Sequence, residues 1–315
     1  MSISKGKPVT KNNIRLKNAL PFYLTAIENL NKFYTALEQF NAIPDSLYQK
    51  AIDRASEWSI KNDTHKKFNF YLLIDWSCGV YLYSNKQSEN IVFGLLRIYD
   101  KSLHFFDKEG KLNSKRVIYT LAHELNHAFG TVPEKFSNLP RDSKEKMFFD
   151  FIWPAIYEGI AIKCCQNGET LISTKIYPDE YSDVTGENPT WNHFLKKSQS
   201  IFKHANKFLL EIINGKFESY KEYDNQFMKY WWWSSGEYSK GKQFDKPRYY
   251  YLGAEMIGII YQAFGKNMVL EIRKKPLMFI PIFNKALKKL KPENYRKYLF
   301  DEKIVNTLEK WNNNM

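Results

Sequence analysis

The chain has 315 residues, with 47 Lys and Arg against 34 Asp and Glu, a formal charge of +13, six His and three Cys. At 43% hydrophobic and 17% aromatic it can bury a full core, which excludes a disordered chain, a collagen-like repeat and a disulfide-stapled mini-fold. Three cysteines cannot build a disulfide framework, and Cys164 and Cys165 are adjacent, so the cysteines read as packing residues.

In chain order, the start MSISKGK is polar and basic, with no apolar stretch followed by small residues. The longest apolar runs, such as LPFYLTAI at 20–27, fall far short of the roughly 20 residues that a membrane span needs. As written, the chain reads as cytoplasmic with no membrane span; a secreted or periplasmic protein whose leader had been removed would read the same way. Residues 14–41 and 45–62 have the periodicity of two amphipathic helices, separated by a turn through Pro44, with Asp45 or Ser46 as the N-cap. The runs Lys67 to Trp76, Gly79 to Ser84, Ile91 to Asp100 and Leu103 to Asp107 are rich in Tyr, Phe, Ile and Val and predict a small sheet. From Asn113 onward the pattern is helical, apart from a loop at 167–189 and a Trp- and Gly-containing segment at 230–247. The order of helices, sheet and helices predicts an α+β fold that is mainly helical.

The basic charge invites a nucleic-acid reading, so its distribution matters. The clusters Arg273-Lys274-Lys275 and Lys288-Lys289-Leu290-Lys291 alternate with apolar residues at helical spacing, as solvated helix faces do. With no zinc-finger Cys pairs, GxxG loop or aromatic RNA-binding strand in the sequence, nucleic acid is not the expected partner. In Tyr230-Trp231-Trp232-Trp233, packing is the first expectation, although three consecutive Trp cannot all face inward on a regular element.

The segment NSKRVIYTLAHELNHAFG at 113–130 reads as one helix, capped by Asn113 or Ser114 and ended by Gly130 in the left-handed conformation, with Ile118, Ala122, Leu125 and Phe129 as its apolar stripe. Inside it lies His123-Glu124-Leu125-Asn126-His127, an HExxH pattern. Histidines four apart share one helix face and can bind one zinc ion, while Glu124 beside them can take a proton from a zinc-bound water. A third ligand is then needed. Gly130 fits the extended motif HExxHxxGxxH, but its final position is Pro133, which cannot bind metal. Downstream, Glu158 is a lone carboxylate in the apolar segment WPAIYEGIAI, where Pro154 suits the first turn of a helix. A carboxylate buried there needs a partner, and a metal serves. Glu134, Glu145 and Asp150 remain as alternatives.

HELNH followed by EGIA resembles the gluzincin metallopeptidases, in which HExxH and a Glu from a second helix hold one zinc. It is more distantly similar to the membrane-alanyl-aminopeptidase group, and the stretch as far as Phe264-Gly265 and Pro281-Ile282-Phe283 resembles bacterial proteins described as zinc-dependent peptidases. The resemblance implies a zincin-like architecture: N-terminal helices at 1–62, a sheet with zinc-binding helices at 63–170, and a helical subdomain at 171–315 that closes a cleft. It implies one Zn²⁺ per chain on His123, His127 and Glu158, with Glu124 as general base and a peptide or protein as substrate. Arg248-Tyr249-Tyr250-Tyr251-Leu252-Gly253 resembles the tyrosine helix of the aminopeptidases, and the match from Gly253 gives Tyr250 the role of stabilising the transition state. A slip of one residue would give it to Tyr249 or Tyr251, and His193 or His204 could serve instead, as a histidine does in thermolysin-like enzymes. Tyr157 stands where the aminopeptidases have Asn, and their strand for a free amino terminus is missing, so the resemblance does not extend to exopeptidase specificity. The strand Ile91 to Tyr99 is the candidate edge for pairing with an extended substrate. Two further readings are an inactive zincin-like protein that binds nucleic acid or acidic partners through its basic surface, and a zinc hydrolase acting on a non-peptide bond. Retention of Glu124 favours a peptidase, because a purely structural zinc has no use for a base.

Overall fold

The computed structural model describes residues 30–59, 67–73, 80–84, 88–94, 109–130, 132–166, 189–232 and 248–314, with a few isolated positions such as Phe106. The chain is α+β and mainly helical. It divides into two compact units, one of residues 1–51 and 64–124, the other of 52–63 and 125–315. Among the described residues no helix is long and apolar enough to cross a membrane.

The helices α1 (Leu30–Asn41), in the first unit, and α2 (Asp45–Ser56), which starts in the first unit and ends in the second, are joined by the expected turn at Pro44. The predicted residues 14–23 and 60–62 lie outside the described ones. The strands β1 (Lys67–Leu73), β2 (Val80–Ser84) and β3 (Ser88–Gly94) form one sheet in the order β1-β3-β2. β3 is parallel to β1 and antiparallel to β2. Its described residues thus form the central strand, paired on both sides, which overturns the expected edge role for 91–94; residues 95–99 of that expected edge lie outside the described ones. The run at 103–107 is represented among the described residues by a single bridge, Phe106 to Leu112. Ile91 is fully buried, and Tyr48 of α2 packs on Phe70 at 4.7 Å between ring centroids. Gln39 fastens the 110–112 turn, donating to the Gly110 carbonyl at 3.0 Å and accepting from the Leu112 N–H at 2.6 Å.

The helix α3 (Ser114–Ala128) starts in the first unit and ends in the second. Asn113 caps it, its Oδ1 accepting from the Arg116 N–H at 3.2 Å. Its buried side includes Val117, Leu121, Ala122, Leu125 and Phe129, while Ile118 is half-buried. Gly130 does not adopt the left-handed conformation expected of it. A Cβ there would stand 2.8 Å from both Arg273 Nη2 and Tyr157 Cε2, so the glycine answers a need for space and not for a positive φ.

After the short α4 (Glu134–Ser137) comes α5 (Lys144–Ile160), capped by Ser143, whose Oγ accepts from the Lys146 N–H at 3.1 Å. Pro154 lies inside this helix, where it has no N–H to give to the carbonyl four residues back, and does not start a new one. The reason is burial. Eleven residues of α5 are buried, including Phe148, Phe151, Ile152, Ala155 and Ile156, and that packing outweighs the local cost of the proline. α5 continues into a π-helical turn, Ala161–Gln166, whose carbonyls at Cys164 and Cys165 accept from Arg54 at 3.2 and 2.6 Å.

The remaining α-helices among the described residues are α6 (Pro189–Ile213), α7 (Tyr220–Phe227), α8 (Arg248–Phe264), α9 (Lys266–Lys274), α10 (Phe279–Leu290) and α11 (Glu302–Asn314). α5 and α8 meet backbone to backbone. A Cβ on Gly253 would fall 1.9 Å from the Ala155 carbonyl oxygen, and one on Gly159 would fall 2.5 Å from the carbonyl carbon of Gly253. Trp231 is fully buried beside Phe151, at 4.9 Å and nearly perpendicular, so it packs as expected; Trp233 lies outside the described residues. Asn284, buried on α10, accepts from the Phe300 N–H at 3.0 Å and donates to the Phe300 carbonyl at 2.9 Å.

Candidate metal centre

α3 and α5 bring His123, His127 and Glu158 together. One ligand atom from each lies within 4.8 Å of the other two, and His127 Nε2 is 3.5 Å from Glu158 Oε2. His123 and Glu158 are buried and His127 nearly so. Two imidazole nitrogens and one carboxylate oxygen are the three-ligand set of a catalytic zinc site, which keeps its fourth position open. Glu124, half-buried, follows His123 on the same helix.

The alternative third ligands are elsewhere. Asp150 accepts from Tyr220 Oη at 2.8 Å and pairs with Lys146, four residues before it on α5. Glu145 sits in the first turn of α5, where a carboxylate favours the helix dipole, and Glu134 is exposed on α4. Neither belongs to the cluster. His204 is exposed, with its Nδ1 2.8 Å from the Ser200 carbonyl oxygen of its own helix; the side chain of His193 lies outside the described residues.

Of the three tyrosines at the start of α8, Tyr249 and Tyr251 are buried and Tyr250 is half-buried. The Tyr249 and Tyr250 rings are 4.9 Å apart, and their phenols are hydrogen-bonded. Burial, and next the negative charge of Glu158, push the Tyr249 phenol well up, so it keeps its proton beside that carboxylate. Cys164 and Cys165 are fully buried free thiols, and burial pushes both up, Cys165 to about 12, so neither is a thiolate at neutral pH.

Two side chains around the cluster escaped the sequence reading. Tyr157 stacks on His127, ring centroids 4.1 Å apart and planes 22° from parallel, and its Oη donates to the His127 carbonyl at 3.3 Å. Arg273, expected on a solvated face, is 1% exposed. It donates to the Trp58 carbonyl, to Asn126 Oδ1 at 3.0 Å and to the Asn126 carbonyl at 3.3 Å. The signal for both lay in their neighbours: Gly130 gives room to Tyr157 and Arg273 at once.

Residues 6–292 match the model of the family described as "Putative zinc dependent peptidase (DUF5700)". The chain belongs to this family. The family description agrees with the zinc-type donor set found in this member. No curated protein and no solved structure matches the chain.

Proposed function

We propose that this chain is a zinc metallopeptidase of the gluzincin type, with one Zn²⁺ held by His123, His127 and Glu158. The observation that carries the reading is the convergence of these three ligand atoms within 4.8 Å, the two histidines coming from a helix whose sequence also holds Glu124. The family description supports it.

When bound, zinc supplies Lewis acidity, acidifying a water and polarising the scissile carbonyl. Glu124 takes a proton from the attacking water and passes it to the leaving amine, which an amide requires because an unprotonated amine leaves poorly. The Tyr250 hydroxyl donates a hydrogen bond to the carbonyl oxygen as that oxygen gains charge. Tyr249, protonated beside Glu158 and hydrogen-bonded to Tyr250, steadies the donor. The substrate is a peptide or an unfolded segment of a protein, and the basic surface biases the choice toward acidic sequences.

The test is zinc content and cleavage of an unstructured casein by the wild type and by Glu124→Gln. One zinc per chain in both, with cleavage confined to the wild type, is the expected result. A wild type that binds no zinc refutes the site. A zinc-loaded wild type that cleaves no peptide, or a Glu124→Gln protein as active as the wild type, refutes the peptidase mechanism.

A further inference from the structure

We infer that Asn126 and Arg273 form a positioning latch that sets the separation of two metal ligands, an inference that rests on the zinc reading above. Asn126 is the residue before His127, and Tyr157 is the residue before Glu158. The Asn126 side chain spans the two: its Nδ2 donates to the Tyr157 carbonyl at 3.5 Å, and its Oδ1 accepts from Arg273 Nη1 at 3.0 Å. Arg273 Nη2 also reaches the Asn126 carbonyl at 3.3 Å, and Nη1 the Trp58 carbonyl. One amide thus ties the peptide unit leading into His127 to the one leading into Glu158, and one guanidinium fixes that amide.

The chemistry of the pair suits this task better than it suits stability. Asn126 has no exposure and Arg273 almost none. Among the described residues, the hydrogen bonds of Arg273 all go to uncharged acceptors, two of them on Asn126. Burying a guanidinium without a carboxylate is costly, and an apolar side chain of the same volume would fill the space at less cost. What the apolar side chain could not do is hold a planar fork of donors against both oxygens of one residue. The position adds to the effect, because a cation at the last turn of α3 meets the negative end of the helix dipole where His127 projects. Gly130 is part of the arrangement, since a side chain there would collide with Arg273 and Tyr157 together. Residues that only orient a metal ligand typically change affinity 10- to 100-fold when removed.

The test compares zinc affinity, by competition with a chromophoric chelator, and the visible spectrum of the Co²⁺-substituted protein, for the wild type, Asn126→Ala, Arg273→Lys and Asn284→Ala. Asn284, on α10, is a buried amide that both accepts from and donates to the Phe300 backbone, so it controls for lost stability. Asn126→Ala is expected to bind zinc about 10- to 100-fold more weakly with an altered Co²⁺ spectrum. Arg273→Lys, which retains the charge but cannot span both Asn126 oxygens, is expected to lose about 10-fold. Asn284→Ala should unfold more easily yet bind zinc as the wild type does. If Asn126→Ala does not fold, Arg273→Lys decides alone. A folded Asn126→Ala or Arg273→Lys with wild-type affinity and spectrum overturns the latch and leaves the zinc reading intact, whereas a wild type that takes up no zinc overturns both.

Discussion

The Tyr157 ring lies on the imidazole of His127, 4.1 Å between centroids, while its hydroxyl donates to the carbonyl of the same histidine at 3.3 Å. One residue therefore restrains both the plane and the backbone of a metal ligand, and it directly precedes Glu158. A slip of α5 against α3 would move the stack and the carboxylate together.

The two contacts should separate by mutation. Tyr157→Phe keeps the stack and loses only a long hydrogen bond, so zinc affinity should stay within a few-fold of the wild type. Tyr157→Leu loses both, and affinity should fall about 10-fold, the lower end of what ligand-orienting residues contribute. Chelator competition measures both, and equal affinities for all three proteins would show that the stack has no orienting role.

Glu158→Ala removes a ligand outright and should weaken zinc more than 100-fold, beyond the range of a residue that merely orients one. Asp150→Ala should leave zinc affinity unchanged, because that carboxylate is engaged by Lys146 and Tyr220. The metal should also stabilise the fold. Free zinc at about 100 times its dissociation constant adds roughly 2.7 kcal/mol to the unfolding free energy, and a chelator should reverse the shift in thermal midpoint.

Tyr250→Phe should lower kcat about 100-fold or more with little change in KM, as losing a hydrogen bond made only in the transition state does. Tyr249→Phe, which removes a partner of that hydroxyl, should cost about 10-fold. If Tyr249→Phe is the more damaging substitution, the roles of the two phenols are exchanged.

The residues of the candidate cluster were legible because their signals are local. HExxH is a helix-spacing pattern, and Glu158 stood out as a lone carboxylate in an apolar run. The three short strands were legible from their aromatic and β-branched content, but the central place of β3 was not, since pairing partners are chosen by non-local contacts. Arg273 was hidden for a similar reason. A cation followed by two lysines looks like a solvated face, and only the packing of α9 against the end of α3 distinguishes it from the exposed Lys274 and Lys275. Pro154 misled, being read as the start of a helix where burial keeps it inside one, and at Gly130, just past the end of α3 as expected, close approach and not a left-handed turn explains the glycine.

The crossing of α5 and α8 leaves no room for an added carbon at Gly253. Gly253→Ala would put a methyl 1.9 Å from a carbonyl oxygen that is itself held in α5, so backbone must move. The expected cost is about 3 kcal/mol or more, at the upper end for overpacking. Gly258→Ala would instead meet Lys163 Cε at 2.8 Å, the far part of a flexible side chain, and should cost about 1 kcal/mol. Denaturant unfolding ranks the two, and equal losses would show that the helices can part without penalty.

Glu255 on α8 provides a pH test independent of the metal ligands. Burial pushes its carboxyl from 4.5 up to about 7, with the positive charge of Lys163 pulling the other way. The folded state therefore binds the proton more tightly than the unfolded state. Between pH 4.5 and 7 the folded chain retains a proton that the unfolded chain releases, so this group's contribution is full below 4.5 and is lost as pH rises through 7. Glu255→Gln cannot titrate. The stability of the wild type relative to this variant should therefore decline steadily across pH 4.5 to 7, and the histidines, common to both proteins, cancel in the difference. Urea unfolding at four or five pH values measures it, and a difference that is flat or rises with pH would mean that Glu255 is ionised in the folded protein throughout this range.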